Sequence, residues 1–166
     1  MKYLNITKDD MLNGEGLRVV LWVSGCERHC QGCHNAFAWD ADCGLEFDDV
    51  AREEIFSQLD KDYIAGLTLS GGDPLSDKNR GAVADLISVV RARYPEKTIW
   101  LYSGYKWEEV CNEPLMGEID VLVDGEYIEG ERDVKLHWCG SSNQRVIDVQ
   151  KSLIRALGEE PILWQG

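Results

Sequence analysis

"LRVVLWVSGCERHCQGCHN", residues 17–35, joins the two signals that decide the fold. Its first part, Leu17 to Val23, is rich in β-branched and aromatic residues and reads as a buried strand. The strand runs straight into Cys26, Cys30 and Cys33, three cysteines within eight residues. The same pattern recurs downstream. "LTLS" (67–70), "TIWLY" (98–102) and "IDVLVD" (119–124) also read as buried strands. Between the second and third runs, Val83, Leu86, Ile87 and Val90 fall at i, i+3, i+4 and i+7, one face of a helix. Tyr94 precedes Pro95 and marks its end. Residues 48–60 form a second helical segment, with Val50, Ile55, Phe56 and Leu59 on one side. Strands alternating with helices predict an α/β fold built from parallel βαβ units.

The strand ends carry the functional signal. The four runs lead into Ser24-Gly25-Cys26, Ser70-Gly71-Gly72-Asp73, Ser103-Gly104-Tyr105 and Asp124-Gly125. In a parallel sheet these turns share the carboxyl edge, where α/β proteins place ligands. Glycine there permits positive φ and close backbone approach to a ligand.

Length and charge bound the rest. A chain of 166 residues is expected to form one domain, 1–166, and needs no covalent staple to fold. The formal charge of −13 repels phosphate backbones and anionic lipid, so neither nucleic acid nor a membrane surface is an expected partner. No apolar run approaches the roughly 20 residues of a membrane span. "MKYLNITKDD" lacks the apolar stretch of a secretory signal, so a cytoplasmic protein is expected. In that reducing compartment six cysteines point to metal or catalysis more than to disulfides.

Three metal chemistries compete for the cysteines. "CQGCH" (30–34) spells a haem c attachment site, but that reading needs export and leaves Cys26 unexplained. Structural zinc needs a fourth ligand, for which His29, His34 or Cys43 are candidates, and the usual second close couple is missing. An iron–sulfur cubane held by Cys26, Cys30 and Cys33 keeps one iron free of protein ligands, able to bind a small molecule directly. Cys43 and Cys111 then read as free thiols. His137 and Trp138, in "VKLHWC" (134–139), read as strand residues, and Asp124 as either a site residue or a turn cap.

At these residues the sequence resembles the radical S-adenosylmethionine superfamily, and within it the activating proteins of anaerobic ribonucleoside-triphosphate reductase. The resemblance rests on "NGEG" (13–16), the cysteine run with Trp39, "LSGGDPL" (69–75), "IWLYSGY" (99–105), "DVLVDG" (120–125) and "WCGSSNQRV" (138–146). It implies a partial, open β/α barrel of parallel strands. It also implies a 4Fe–4S cluster on Cys26, Cys30 and Cys33, with S-adenosylmethionine chelating the unique iron. Gly32, Cys33 and His34 would then contact the adenosyl part, and Gly71, Gly72 and Asp73 the methionyl amine. The implied reaction forms a 5′-deoxyadenosyl radical, which takes a hydrogen from a glycine of the large reductase subunit. No catalytic residue beyond the cluster and S-adenosylmethionine is implied. The implied partners are that subunit and a low-potential electron donor such as flavodoxin, and a homodimer is allowed. The neighbouring readings are a short carboxy-deazaguanine synthase, against which "IWLYSGY" and "GSSNQR" argue, and a non-catalytic iron–sulfur or zinc module. The chain departs from the family pattern at Glu15, His34, Ala38, Glu126 and Cys139.

Overall fold

The computed structural model describes residues 1–155 and 159–166. Seven strands form one sheet: β1 (Lys2–Asp10), β2 (Leu17–Val23), β3 (Leu45–Glu46), β4 (Ile64–Gly71), β5 (Thr98–Tyr102), β6 (Val121–Asp124) and β7 (Arg145–Asp148). Their spatial order is β3-β1-β2-β4-β5-β6-β7. The middle four, β2, β4, β5 and β6, are parallel. Antiparallel β1 and β3 extend one side and antiparallel β7 the other. The four strands read from the sequence are therefore the parallel centre, with β4 longer than "LTLS". Strands buried on both faces need apolar residues at every position, which is why they stand out.

Helices α1 (Asp49–Leu59) and α2 (Arg80–Arg93) fill the first two crossovers, and α3 (Trp107–Val110) lies in the third. The parallel strands follow one another in chain order, so right-handed crossovers place these helices on the same face. Val83, Leu86, Ile87 and Val90 are fully buried there, as the spacing predicts. The prediction for α1 holds at Ile55, Phe56 and Leu59 but fails at Val50, which is 76% exposed; Ala51 faces the core instead. Asp48 caps that helix by accepting a hydrogen bond from Ala51 N–H at 3.0 Å. A last helix, α4 (Val149–Leu153), follows β7.

The sheet's other face has its own core. Alternation along β5 sends Ile99 and Leu101 toward the helices and Trp100 and Tyr102 to the opposite side. Trp100 meets Trp138 and Trp164 edge-on, with ring centroids 5.0 and 5.8 Å away. Trp164 is held by the C-terminal segment, whose backbone bonds β7 through Trp164 N–H to Val146 O. The segment 134–139 is not a strand. Trp138 has φ +63°, a conformation no ladder accepts, and it turns the indole into this second core.

Arg18 lies in the same layer, fully buried. All five of its N–H groups are satisfied: Nε by Thr68 Oγ1, Nη1 by Glu15 O and Thr98 Oγ1, Nη2 by Leu67 O and Thr98 O, at 2.7–3.0 Å. Burial lowers its pKa to about 10, still charged at neutral pH. Gly14 of "NGEG" permits this, since a Cβ there would lie 2.8 Å from Arg18 Cδ and 2.9 Å from the Trp100 ring. Replacing Arg18 with Met strands several buried acceptors at once. We expect a loss of about 3 kcal/mol, read from urea unfolding midpoints.

Candidate iron–sulfur site

Four strand ends build the site from one edge of the sheet. Gly25, at the end of β2, donates its N–H to Ala38 O at 2.7 Å, and Cys26 donates to Trp39 O. These bonds dock residues 24–26 onto a 3-10 turn, Ala36–Trp39. The neighbouring turn is locked to the same strand: Gly72 N–H bonds Val23 O and Asp73 N–H bonds Gly25 O, both at 2.7 Å. Asn79, at the start of α2, spans the two turns by donating to Ser24 O and Asp73 O. His29 (φ +48°) and Gly32 (φ +74°) then bend the loop so that it returns to the sheet edge.

The result is one cavity of about 130 Å³ bordered by all three cysteines, Gly71, Gly72 and Asp73. Gly32 and His34 lie outside it, in adjoining hollows. Cys33 joins the first cavity to a second of about 330 Å³, which holds His34, Trp138 and Cys139. Cys43 and Cys111 border neither cavity. Burial raises the Cys26 pKa to about 11 and pushes Cys30 up as well. A metal must displace those protons as it binds. Nearby backbone N–H groups pull both values the other way, those of Arg28 and His29 at Cys26 and those of Tyr127 and Cys30 itself at Cys30.

Asp73 is buried in the cavity wall with both carboxylate oxygens engaged. Oδ1 accepts from Leu75 N–H and Ser103 Oγ–H at 2.9 Å, and Oδ2 from Gly104 N–H at 2.9 Å. It thus ties the end of β4 to the end of β5. Burial pushes its carboxyl upward, while those donors pull it back. Asp124 resolves as a cap: it accepts from Trp107 N–H at the start of α3 and pairs with Arg145, away from the cavity.

Three aromatic residues to which the sequence reading gave no site role border the cavities, two of them, Trp39 and Tyr102, inside motifs quoted above. Tyr102 and Trp39 border the cysteine cavity, and Tyr102 Oη and Trp39 Nε1 are buried with no hydrogen-bond partner among the described residues. Tyr127 borders both cavities. Trp138, read as a strand residue, also belongs to the site's wall. Of these aromatics, Tyr127 alone lies outside the motifs quoted above.

Three thiols on one cavity, soft donors suited to iron and sulfide, fit a 4Fe–4S cluster. The fold and these three thiols suit a single-cluster iron–sulfur protein, and residues 12–147 match the family described as "4Fe-4S single cluster domain". The anaerobic ribonucleoside-triphosphate reductase-activating protein of Enterobacteria phage T4 is 46% identical over 146 residues, covering 88% of this chain and 93% of that protein. The protein of the same name from Haemophilus influenzae is 41% identical over 87% of this chain and 96% of its own length. That from Escherichia coli K12 is 38% identical over 88% and 97%. The chain belongs to the family of anaerobic ribonucleoside-triphosphate reductase-activating proteins.

Proposed function

We propose that this protein is a radical S-adenosylmethionine enzyme that installs a glycyl radical on anaerobic ribonucleoside-triphosphate reductase. The observation that carries this reading is the cavity that gathers three thiols and the Gly71-Gly72-Asp73 turn, with no fourth cysteine among the described residues on its border. Cys26, Cys30 and Cys33 would hold the cluster. Gly71, Gly72 and Asp73, with Gly32, Cys33 and His34, would hold S-adenosylmethionine. When bound, the reduced cluster and S-adenosylmethionine supply the 5′-deoxyadenosyl radical that takes hydrogen from the partner's glycine.

The chain's own part is placement. Gly71 and Gly72 present backbone without side chains, and Asp73 fixes the turn while adding negative charge near a bound ammonium. Tyr127 forms part of the cavity wall, and Trp138 part of the wall of the hollow that adjoins it. The same reading has the sheet curl as an open β/α barrel, in one domain spanning 1–166, in the cytoplasm. No helix among the described residues is long and apolar enough to cross a membrane. A low-potential donor such as flavodoxin and a homodimer complete the proposal.

The test is reconstitution with iron and sulfide without oxygen, reduction, and addition of S-adenosylmethionine. We expect 5′-deoxyadenosine, and a glycyl radical signal only when the reductase is present. Absence of 5′-deoxyadenosine overturns the radical reading.

A further inference from the structure

Asn79 stands at the N-cap of α2, a position where a side-chain oxygen commonly accepts from a first-turn N–H. Here the side chain makes no cap bond. Its amide nitrogen donates across the sheet edge instead, to Ser24 O at 2.8 Å and to Asp73 O at 3.0 Å. Ser24 lies two residues before Cys26, and Asp73 completes the Gly71-Gly72-Asp73 turn. The residue is buried, 1% exposed, so solvent does not compete for these bonds. Asn79 thus gives up a local bond for two that join distant turns.

The partners account for the residue type. Both are carbonyl oxygens, so the position needs two protons on one short side chain. The asparagine amide carries two, a serine hydroxyl one and an ionised aspartate none. Backbone bonds already dock the cysteine loop: Gly25 N–H to Ala38 O, Cys26 N–H to Trp39 O and Asp73 N–H to Gly25 O. The loop therefore keeps its shape without Asn79. What the amide adds is a third body, α2, whose Val83, Leu86, Ile87 and Val90 are fully buried. Both turns are referenced to that anchored helix.

We propose that Asn79 is a positioning residue for S-adenosylmethionine: by tying Ser24 O and Asp73 O to the start of α2, it presets the spacing between the cysteine loop and the Gly71-Gly72-Asp73 turn. The inference rests on the reading of Cys26, Cys30 and Cys33 as cluster ligands and of that turn as the seat of the methionyl amine. A ligand gripped at both places binds best when their spacing is fixed beforehand, because any ordering of the turns at binding is subtracted from the affinity. The cluster touches only the cysteine side, so its uptake does not depend on the spacing.

The experiment is anaerobic equilibrium dialysis of radiolabelled S-adenosylmethionine against the reconstituted protein with its cluster oxidised, so that no turnover intervenes. Iron, sulfide and the urea midpoint without S-adenosylmethionine are measured on the same samples. The variants are Asn79→Ser, Asn79→Asp and, as a control in the same turn, Ser76→Ala. Ser76 is fully buried, and its hydroxyl has no hydrogen-bond partner among the described residues, so alanine leaves the Asn79 bonds in place. We expect full iron and sulfide in Asn79→Ser and a Kd raised about tenfold, the scale of removing a group behind a metal ligand. Asn79→Asp should weaken binding at least as much, and Ser76→Ala should bind like wild type. Should Asn79→Asp fail to fold, Asn79→Ser decides, since serine is itself a favoured N-cap. A lowered urea midpoint with a wild-type Kd in Asn79→Ser is what a merely structural residue gives, and it overturns the proposal. Loss of the cluster in that variant overturns it too, because the amide would then hold the cysteine loop and not its spacing. Wild-type protein that carries a cluster but retains no S-adenosylmethionine overturns the functional reading itself, a distinct result.

Discussion

Replacing Cys26, Cys30 or Cys33 with alanine is expected to drop iron and sulfide content sharply and 5′-deoxyadenosine to background. Among the described residues the three thiols are the only cysteines on their cavity, so each substitution would leave an iron without a protein ligand. The loss should exceed the roughly 10–100-fold that follows from removing a group behind a metal ligand. Cys43→Ala is the informative contrast. Cys43 meets the site through its backbone, where its carbonyl accepts from Ser24 Oγ–H at 2.7 Å, and alanine keeps that bond. Cluster content and product formation should therefore stay at wild-type levels. Loss of the cluster in Cys43→Ala would mean a fourth thiolate, and the open-iron reading would fail. Iron, sulfide and 5′-deoxyadenosine measured on all four variants decide between the two.

What the sequence discloses about this fold follows from how each element is buried. β2, β4, β5 and β6 lie in the middle of the sheet, and two covered faces force continuous apolar runs. β1, "KYLNITKDD", borders only two residues of β3 on its outer side and keeps a polar composition, so its pattern does not announce a strand. β7, "RVID", is four residues long and owes its place to β6 and the C-terminal segment, neither of them local. "VKLHWC" has the composition of a strand, yet Trp138 adopts φ +63° to reach Trp100. At the site, the cysteines and the Gly-Gly-Asp turn were legible because their chemistry demands fixed residue types at fixed spacing. Trp39 and Tyr102 stand in the quoted motifs, but that they border the cavity, as Tyr127 does, was not legible, since each arrives from a different element. Asp73 shows the reverse limit. Its position was legible, but its carboxylate is committed to Leu75, Ser103 and Gly104, partners that only the folded edge brings together.

Gly72→Ala, one added methyl, is expected to empty the site while leaving most of the fold intact. A Cβ at Gly72 would lie 2.4 Å from Gly25 O and 2.9 Å from Ala38 O, distances no side chain tolerates. Both obstacles are backbone, and both are pinned. Gly25 O accepts from Asp73 N–H and Ala38 O accepts from Gly25 N–H, each at 2.7 Å. Relief must move either the 72–73 turn or the Gly25-Cys26 segment. Each movement carries Cys26 away from Cys30 and Cys33. Overpacking of this kind costs about 1–3 kcal/mol, within reach of a protein of ordinary stability. The cluster is less forgiving, because it needs all three thiolates in place. We therefore expect a modest fall in the urea midpoint with iron, sulfide and 5′-deoxyadenosine near background. Gly81→Ala supplies the control: nothing lies within 4 Å of its Cβ position in α2. Alanine there should raise stability by up to about 1 kcal/mol and leave cluster content unchanged. A Gly72→Ala protein carrying a full cluster would show that the cysteine loop holds its shape without the β4 turn, and the account of how this edge assembles the site would have to be abandoned.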